Sequence, residues 1–158
     1  MFTDIVRRPN TRIAKSGSLY VVQYLGPNTV AEVEADHKHE LKVVEEHGHM
    51  SVLVIFETKT MGKPDENVKK AIAEQVRSLG PKLLGTAIVL RGEGLGLTIA
   101  RTMLVAFALL SRAQQRICSD EAAALAHLRG LPGQSLDVKR VSTDELLAHF
   151  ELGRRKAA

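Results

Sequence analysis

Runs of β-branched, aromatic and other apolar residues mark five strands along the chain. The first two runs flank Ser16-Gly17-Ser18, a sequence typical of a tight turn, which predicts an antiparallel hairpin. The third run, Met-Ser-Val-Leu-Val-Ile-Phe, is almost continuously apolar. Such a run is typical of a strand covered on both faces, so we expect it at the centre of a sheet. The five predicted strands cover residues 13–15, 19–25, 50–56, 86–90 and 115–118.

Apolar residues at helical spacing predict an amphipathic helix over residues 29–46, between the second and third strands. Asn28 is suited to cap its beginning, and Gly48 can adopt the left-handed conformation that ends a helix. His37 occupies one position within the apolar stripe. The stripe consists of Val30, Val33, Leu41 and Val44.

Two further helices are marked by their ends. One begins at Pro64, where Asp65 and Glu66 would complement the positive end of the helix dipole, and it ends at Gly80. The other covers residues 119–128 and begins at a serine followed by two acidic residues. Helices therefore separate the strands that follow the hairpin.

Glycine and proline at residues 130–133 end the main unit of the chain. Residues 1–130 are predicted to form one domain, and residues 131–158 a C-terminal extension. In the extension, Ser142-Thr143-Asp144-Glu145 is a capping box that begins a short helix. A basic tail follows at residues 154–156. We expect the extension to pack on the domain.

The third predicted helix, residues 95–112, is apolar at every position from 103 to 110. A membrane span needs about 20 apolar residues, and Arg101 and Arg112 bracket a shorter segment, so no transmembrane segment is predicted. A single sheet face does not account for so many apolar side chains, which leaves three covers: the extension, a second copy of the chain, or a hydrophobic ligand. The predicted ligand or dimer surface is Leu104, Phe107 and Leu110.

The predicted order of elements is β-β-α-β-α-β-α-β-α, followed by the extension. Strands separated by helices pair through crossovers, and right-handed crossovers give a mixed sheet. The predicted fold class is therefore α/β, a single-domain mixed β-sheet with about four helices packed on it and a short C-terminal helical extension.

Three segments carry a likeness to a known family. They are residues 19–27 (Leu-Tyr-Val-Val-Gln-Tyr-Leu-Gly-Pro) ahead of a helix, residues 52–56 (Val-Leu-Val-Ile-Phe) ahead of a polar loop, and the helix of residues 119–128. Together they resemble the SpoIIAA-like branch of the STAS superfamily, which is sometimes grouped with Sec14-type lipid-binding proteins. The likeness covers about residues 12–130. It implies a STAS-like fold used for regulation and protein binding, without catalysis.

The same resemblance directs attention to the loop after the third strand. In phosphorylated anti-anti-sigma factors of the family, a regulatory serine lies in an Asp-Ser type motif between that strand and the next helix. Residues 57–64 read Glu-Thr-Lys-Thr-Met-Gly-Lys-Pro and contain no serine, which departs from the family pattern. Thr58 and Thr60 are the predicted phospho-acceptors, and the alternative is two ordinary threonines in a solvated loop.

The charge distribution and the cysteine content bear on nucleic-acid binding and on the cellular location. The formal net charge is +4, but Arg154, Arg155 and Lys156 supply three of the excess positive charges and residues 1–15 supply three more. Because the body between them is not basic, no nucleic-acid partner is predicted. The single cysteine, Cys118, excludes an internal disulfide, and the first residues show no secretory signal. A cytoplasmic location is therefore expected.

Three motifs are candidates for sites of chemistry. His37 and His39 lie two residues apart on a helix and point to different sides, so no metal site is predicted there. Gly92-Glu93-Gly94-Leu95-Gly96 follows a strand but lacks the spacing of a phosphate-binding loop, and no cofactor is predicted. Cys118 precedes a helix, which favours a nucleophilic thiolate, but no histidine is placed to serve it.

Three functions follow, in this order. The first is a non-enzymatic regulatory or protein-interaction module that lacks the usual phospho-serine motif, binds a protein partner near residues 57–64 or a sheet edge, and forms a homodimer through the third helix. The second is a carrier or sensor of a hydrophobic small molecule or lipid, bound in a pocket lined by the predicted ligand surface. The third is an enzyme that uses Cys118.

Overall fold

In a computed structural model of the protein, one six-stranded sheet carries helices on both faces. The structure describes residues 1–62, 65–94, 97–98, 101 and 115–153. The strands lie side by side in the order in which they occur along the chain. They are β1 (Thr3–Arg8), β2 (Thr11–Ser16), β3 (Leu19–Tyr24), β4 (Met50–Glu57), β5 (Leu83–Arg91) and β6 (Gln115–Cys118). The predicted α/β fold with a mixed sheet is confirmed.

Strands β1, β2 and β3 are antiparallel to one another, whereas β3, β4, β5 and β6 are parallel. The hairpin, the central position of β4 and the last strand agree with the sequence-based prediction. Strand β1 was not predicted. It lies at the edge of the sheet, and most of its side chains are exposed or half-buried, so the sequence shows no apolar run there.

Within the described residues, two helices cover one face of the sheet. They are α1 (Val30–His47) and α3 (Glu66–Leu79), and α2 (Thr58–Met61) is a single turn between β4 and α3. A short 3₁₀ turn, Gly80–Lys82, joins α3 to β5. Alternate residues of each strand point toward this face because the side-chain period of a strand is two. The core of this face contains Ile13, Tyr20, Val22, Val52, Val43, Val44 and Leu79.

The other face is covered by three C-terminal helices, α4 (Glu121–Arg129), α5 (Leu136–Arg140) and α6 (Thr143–His149). The predicted extension, residues 131–158, contributes α5 and α6. Its buried side chains belong to the same core as those of the strands. This core includes Leu19, Val21, Leu53, Ile55, Ala87, Leu125, Leu128, Val138, Val141, Leu146 and Phe150.

Helix α1 packs with Val33 and Val44 of the predicted apolar stripe buried, but one position of that stripe is wrong. Leu41, placed in the predicted apolar stripe, is 47% exposed, whereas Asp36 is only 8% exposed. The buried positions of α1 are Val33, Asp36, Val43 and Val44. A carboxylate lies on the buried side because an arginine of β1 pairs with it, a contact that apolar periodicity does not reveal.

The cap of α1 differs from the prediction at one end and agrees at the other. Thr29, not Asn28, caps the beginning: its Oγ1 accepts a hydrogen bond from the Glu32 N–H at 3.1 Å, and the Glu32 carboxylate accepts from the Thr29 N–H at 3.2 Å. Asn28 instead accepts a hydrogen bond from the Thr11 hydroxyl at 2.6 Å. At the other end, Gly48 has a φ of 78°, the predicted left-handed conformation.

Two other predicted helix starts can be compared with the structure. Asp65 caps α3 from outside the helix, so it does not lie in the first turn as predicted, and Pro64 lies outside the described residues. Ser142 caps α6 as predicted, because its Oγ accepts a hydrogen bond from the Glu145 N–H at 3.1 Å. Capping residues read from the sequence are thus correct to within one or two positions.

Most of the predicted third helix, including Leu104, Phe107 and Leu110, lies outside the residues that the structure describes. The ligand or dimer surface predicted there stays a prediction. Within the described part of the chain, no helix has both the length and the apolar character needed to cross a bilayer.

Candidate functional site

An apolar cavity of about 90 Å³ lies between the sheet and helices α1 and α3. A buried water occupies about 10–15 Å³ on this scale, so the cavity admits a molecule of roughly six to nine non-hydrogen atoms. Strands β2 to β6 form its floor, and the two helices form its roof. Its described lining includes Val22, Tyr24, Val54, Phe56 and Ile88 from the strands and Val33, Ile72, Val76 and Leu79 from the helices.

Two contacts between α1 and α3 hold the roof together. The Gln75 side-chain amide donates to the Val33 carbonyl at 3.1 Å, and His37 Nε2 lies 3.2 Å from Ser78 Oγ. Gln75 belongs to the face of α3 that lines the cavity. The helices are therefore joined by polar contacts next to an apolar space.

Glu40 forms an acidic part of the α1 wall. Its Oε2 lies 2.8 Å from His37 Nδ1, and the carboxylate side chain is 19% exposed. Burial raises the pKa of the Glu40 carboxyl above its ordinary value, and the contact with His37 opposes that rise. A partly desolvated acid therefore faces the cavity.

The proton arrangement around His37 follows from Ser78. The Ser78 hydroxyl donates its one proton to the Gln75 carbonyl at 2.8 Å, so His37 Nε2 is the donor to Ser78 Oγ. His37 Nδ1 then accepts from a protonated Glu40, or both nitrogens are protonated and Glu40 is ionised. In either arrangement His37 has no lone pair directed at Ser78, so these three residues do not form a Ser–His–Glu catalytic set.

A pH-dependent stability difference follows from Glu40. Because burial raises the folded-state pKa of its carboxyl above the ordinary value of 4.5, the folded state retains the proton where the unfolded state has lost it. This contribution therefore lowers the free energy of unfolding as pH rises through that window. We expect Glu40→Gln to be more stable than wild type at neutral pH, with a smaller difference at pH 4, in urea unfolding across this range.

The matched control for this experiment is Glu45→Gln, which removes one carboxylate from the exposed side of α1. Equal pH trends in the two variants would contradict the assignment to Glu40. Subtracting the wild-type curve at each pH separates this effect from other acidic groups, including Glu32, whose pKa is lowered by its hydrogen bond from Asn10.

A second carboxylate beside the cavity is fully paired. Arg8 donates from Nη1 to Asp36 Oδ1 at 2.9 Å and from Nη2 to Asp36 Oδ2 at 2.7 Å, a bidentate geometry that ties β1 to α1. The Tyr20 hydroxyl donates to the Asp36 backbone carbonyl at 3.3 Å. The charge of the Asp36 carboxylate is thus neutralised by Arg8, whereas Glu40 has no such arginine partner.

Aromatic rings form part of the floor. Tyr24 and Phe56 stack with their ring centroids 5.1 Å apart and their planes 22° apart. Burial raises the pKa of the Tyr20 and Tyr24 hydroxyls, which stay protonated at neutral pH. The floor therefore combines π faces with neutral hydroxyl groups.

The end of the cavity near β6 carries two neutral polar side chains. Thr86 and Gln115 are paired across β5 and β6, and both line the cavity. Gln115 Oε1 is buried and has no hydrogen-bond partner in the part of the chain that the structure describes. An unpaired buried carbonyl oxygen is costly, so it is ready to accept a hydrogen bond from a ligand.

The predicted phospho-acceptors lie elsewhere, at the carboxyl end of β4. The Thr58 hydroxyl donates to the Arg91 carbonyl at 2.7 Å and is half-buried. Gly92, which follows Arg91, has a φ of 135°, and a Cβ at this position would overlap Thr58 Oγ1. Thr60 is exposed and donates to the Glu57 carbonyl at 3.2 Å. Neither threonine is part of the described cavity lining.

An ion network lies at the same end of the sheet. Arg91 Nη1 lies 2.5 Å from Glu121 Oε1, and Arg91 Nε lies 3.5 Å from Glu57 Oε1. Arg91 Nη2 also donates to the Gly153 carbonyl at 3.1 Å. The guanidinium therefore links β4, β5, α4 and the end of the described chain.

Cys118 and His37, two residues that the sequence offered for chemistry, lie in surroundings that the structure describes. Cys118 is half-buried, and burial raises the pKa of its thiol, which disfavours the thiolate that a nucleophile requires. Among the described residues, no group of three or more His, Cys, Asp or Glu side chains is arranged to hold a metal ion. His37 is bound to Glu40, as described above.

Sequence reasoning missed the acidic residues of the site because it assigned charged positions of α1 to the solvent side. The available signal was the spacing of Val33, Asp36, Glu40 and Val44, which places two acids on one face with valines at each end.

No family model matches the chain, and no curated protein matches its sequence.

Proposed function

We propose that the chain is a non-catalytic binding module that takes a small, mostly apolar molecule between its sheet and helices α1 and α3. The observation that carries this proposal is the cavity itself. Its walls are mostly aliphatic and aromatic, with a few polar groups, a composition typical of small-molecule sites. A ligand there would contact the sheet and both helices, so its binding can change how α1 and α3 pack on the sheet. A carrier or sensor was also the second function predicted from the sequence, but with a pocket lined by Leu104, Phe107 and Leu110, which lie outside the described residues.

Two further observations favour binding over catalysis. Burial holds Cys118 in its thiol form, and the Ser78 proton is directed to a carbonyl instead of His37. Neither of these two described side chains is therefore prepared to act as a nucleophile.

Filling the cavity tests this proposal. Val54→Phe adds a ring on the floor of the cavity, where we expect it to occupy the space of the ligand. Benzyl alcohol is a suitable probe because its ring and single substituent match the size of the cavity. We expect saturable binding to wild type in two-dimensional NMR titrations, with shifts at cavity residues, and binding at least about tenfold weaker to Val54→Phe.

The matched control is Leu41→Phe, which adds similar bulk on the exposed side of α1. This control is expected to bind the probe like wild type. A dispersed spectrum from Val54→Phe is required to show that the variant folds. Absence of saturable binding to wild type would contradict the proposed function.

A protein-interaction role is the second candidate, and Thr60 favours it. Its hydroxyl lies on an exposed turn at the carboxyl end of the central strand, where a partner or a modifying enzyme has access. The STAS-like resemblance and the homodimer stay predictions. The molar mass from light scattering at several concentrations would test the dimer, and a monomer throughout would exclude it.

A further inference from the structure

The polar side chains of the described cavity lining are acidic or neutral. The described lining contains acidic residues and neutral polar residues but no lysine or arginine. A ligand that carries a carboxylate or phosphate would therefore find no cation among these residues. The cavity is better matched to a molecule that donates hydrogen bonds or carries positive charge.

Glu40 is the acid that a ligand could engage. Asp36 is already paired by the bidentate contact with Arg8, which satisfies both of its oxygens. Glu40 uses Oε2 for His37, and no hydrogen bond engages its Oε1 within the described part of the chain. A partly buried carboxylate with one free oxygen gains most from a cationic donor.

The rest of the cavity suits the same class of molecule. The rings of Tyr20, Tyr24 and Phe56 are part of the floor, and π faces attract cations placed over them. At the β6 end, Gln115 Oε1 is an unpaired acceptor. Two acceptors and several π faces therefore surround a space that admits about one ring.

We infer that the ligand is a small primary amine, with its ammonium group at Glu40 and its apolar body against the strands. This inference rests on the proposed function and adds the chemical class of the ligand. The ammonium replaces the solvent that Glu40 has lost, and the aliphatic side chains of the roof cover the body. Amines of one-ring size are favoured over alcohols and acids of the same shape.

Three probes of nearly equal shape test the inference: benzylamine, benzyl alcohol and benzoate. Near neutral pH they are a cation, a neutral molecule and an anion. We expect wild type to bind benzylamine at least about tenfold more tightly than benzyl alcohol, and benzoate most weakly, in calorimetric or NMR titrations. Glu40→Gln should abolish the preference for the amine and retain binding of the alcohol, whereas Glu45→Gln should behave as wild type.

The outcomes separate the inference from the function on which it rests. Equal affinity of wild type for benzylamine and benzyl alcohol would overturn the amine assignment and leave a small-molecule site. A preference that persists in Glu40→Gln would overturn the role of Glu40. If wild type binds none of the three probes, both the inference and the proposed function fall.

Discussion

A chain that ends at Gly130 is expected not to fold. The truncation removes α5 and α6, whose buried side chains cover one face of the sheet. Each fully buried aliphatic or aromatic side chain contributes about 1.5–3 kcal/mol, so the loss is on the order of 10 kcal/mol, similar to the whole stability of a domain. The lost side chains are Val138, Val141, Leu146, Leu147 and Phe150. Circular dichroism should show no cooperative thermal transition.

A pair of point substitutions tests the same claim without removing the segment. Phe150→Ala takes out a ring that is 2% exposed, and we expect a loss of about 3–5 kcal/mol in urea unfolding. Leu136→Ala, in the same segment, removes a side chain that is 65% exposed and should change stability by about 0.5 kcal/mol or less. A stable, cooperatively folded fragment of residues 1–130 would show instead that the predicted domain boundary is also an energetic one.

The elements that the sequence predicted well are those whose burial follows a simple period. Strand β4 is covered on both faces, so its continuous apolar run identified it and placed it at the centre of the sheet. Strand β1 was not predicted because a half-exposed edge strand has no continuous apolar run. Helix α5 was also not predicted. It is five residues long and buries one side chain, Val138, so its sequence shows no apolar periodicity.

The site was harder to predict because its polar groups depend on contacts far apart in the sequence. Asp36 can be buried only because Arg8, 28 residues earlier, pairs with it. His37 was placed in the apolar stripe, but its polar partners are Glu40 and Ser78, on two different helices. Periodicity reports which face of a helix is apolar, but it does not report which charge is neutralised by a distant partner.

Glu121→Ala is expected to cause a large loss of stability by leaving Arg91 without its buried partner at the carboxyl end of the sheet. The Glu121 side chain is 4% exposed and that of Arg91 is 17% exposed, so both ions have lost most of their water. Removing one partner leaves the other charge buried, which typically costs about 3–5 kcal/mol. Because Arg91 also contacts Glu57 and the Gly153 carbonyl, we expect a value near the lower end, about 3 kcal/mol, in urea unfolding.

The physical origin of that loss can be isolated with two further variants. Glu66→Ala breaks an ion pair with Lys69 in which the glutamate is 75% exposed, and it should cost about 1 kcal/mol or less. Replacing Arg91 and Glu121 together by leucine removes both buried charges, so stability should recover by most of the loss seen in Glu121→Ala. If the double variant is no more stable than Glu121→Ala, the loss arises from packing around α4 and not from an uncompensated guanidinium. The pair would then be a minor contributor to the stability of this end of the sheet.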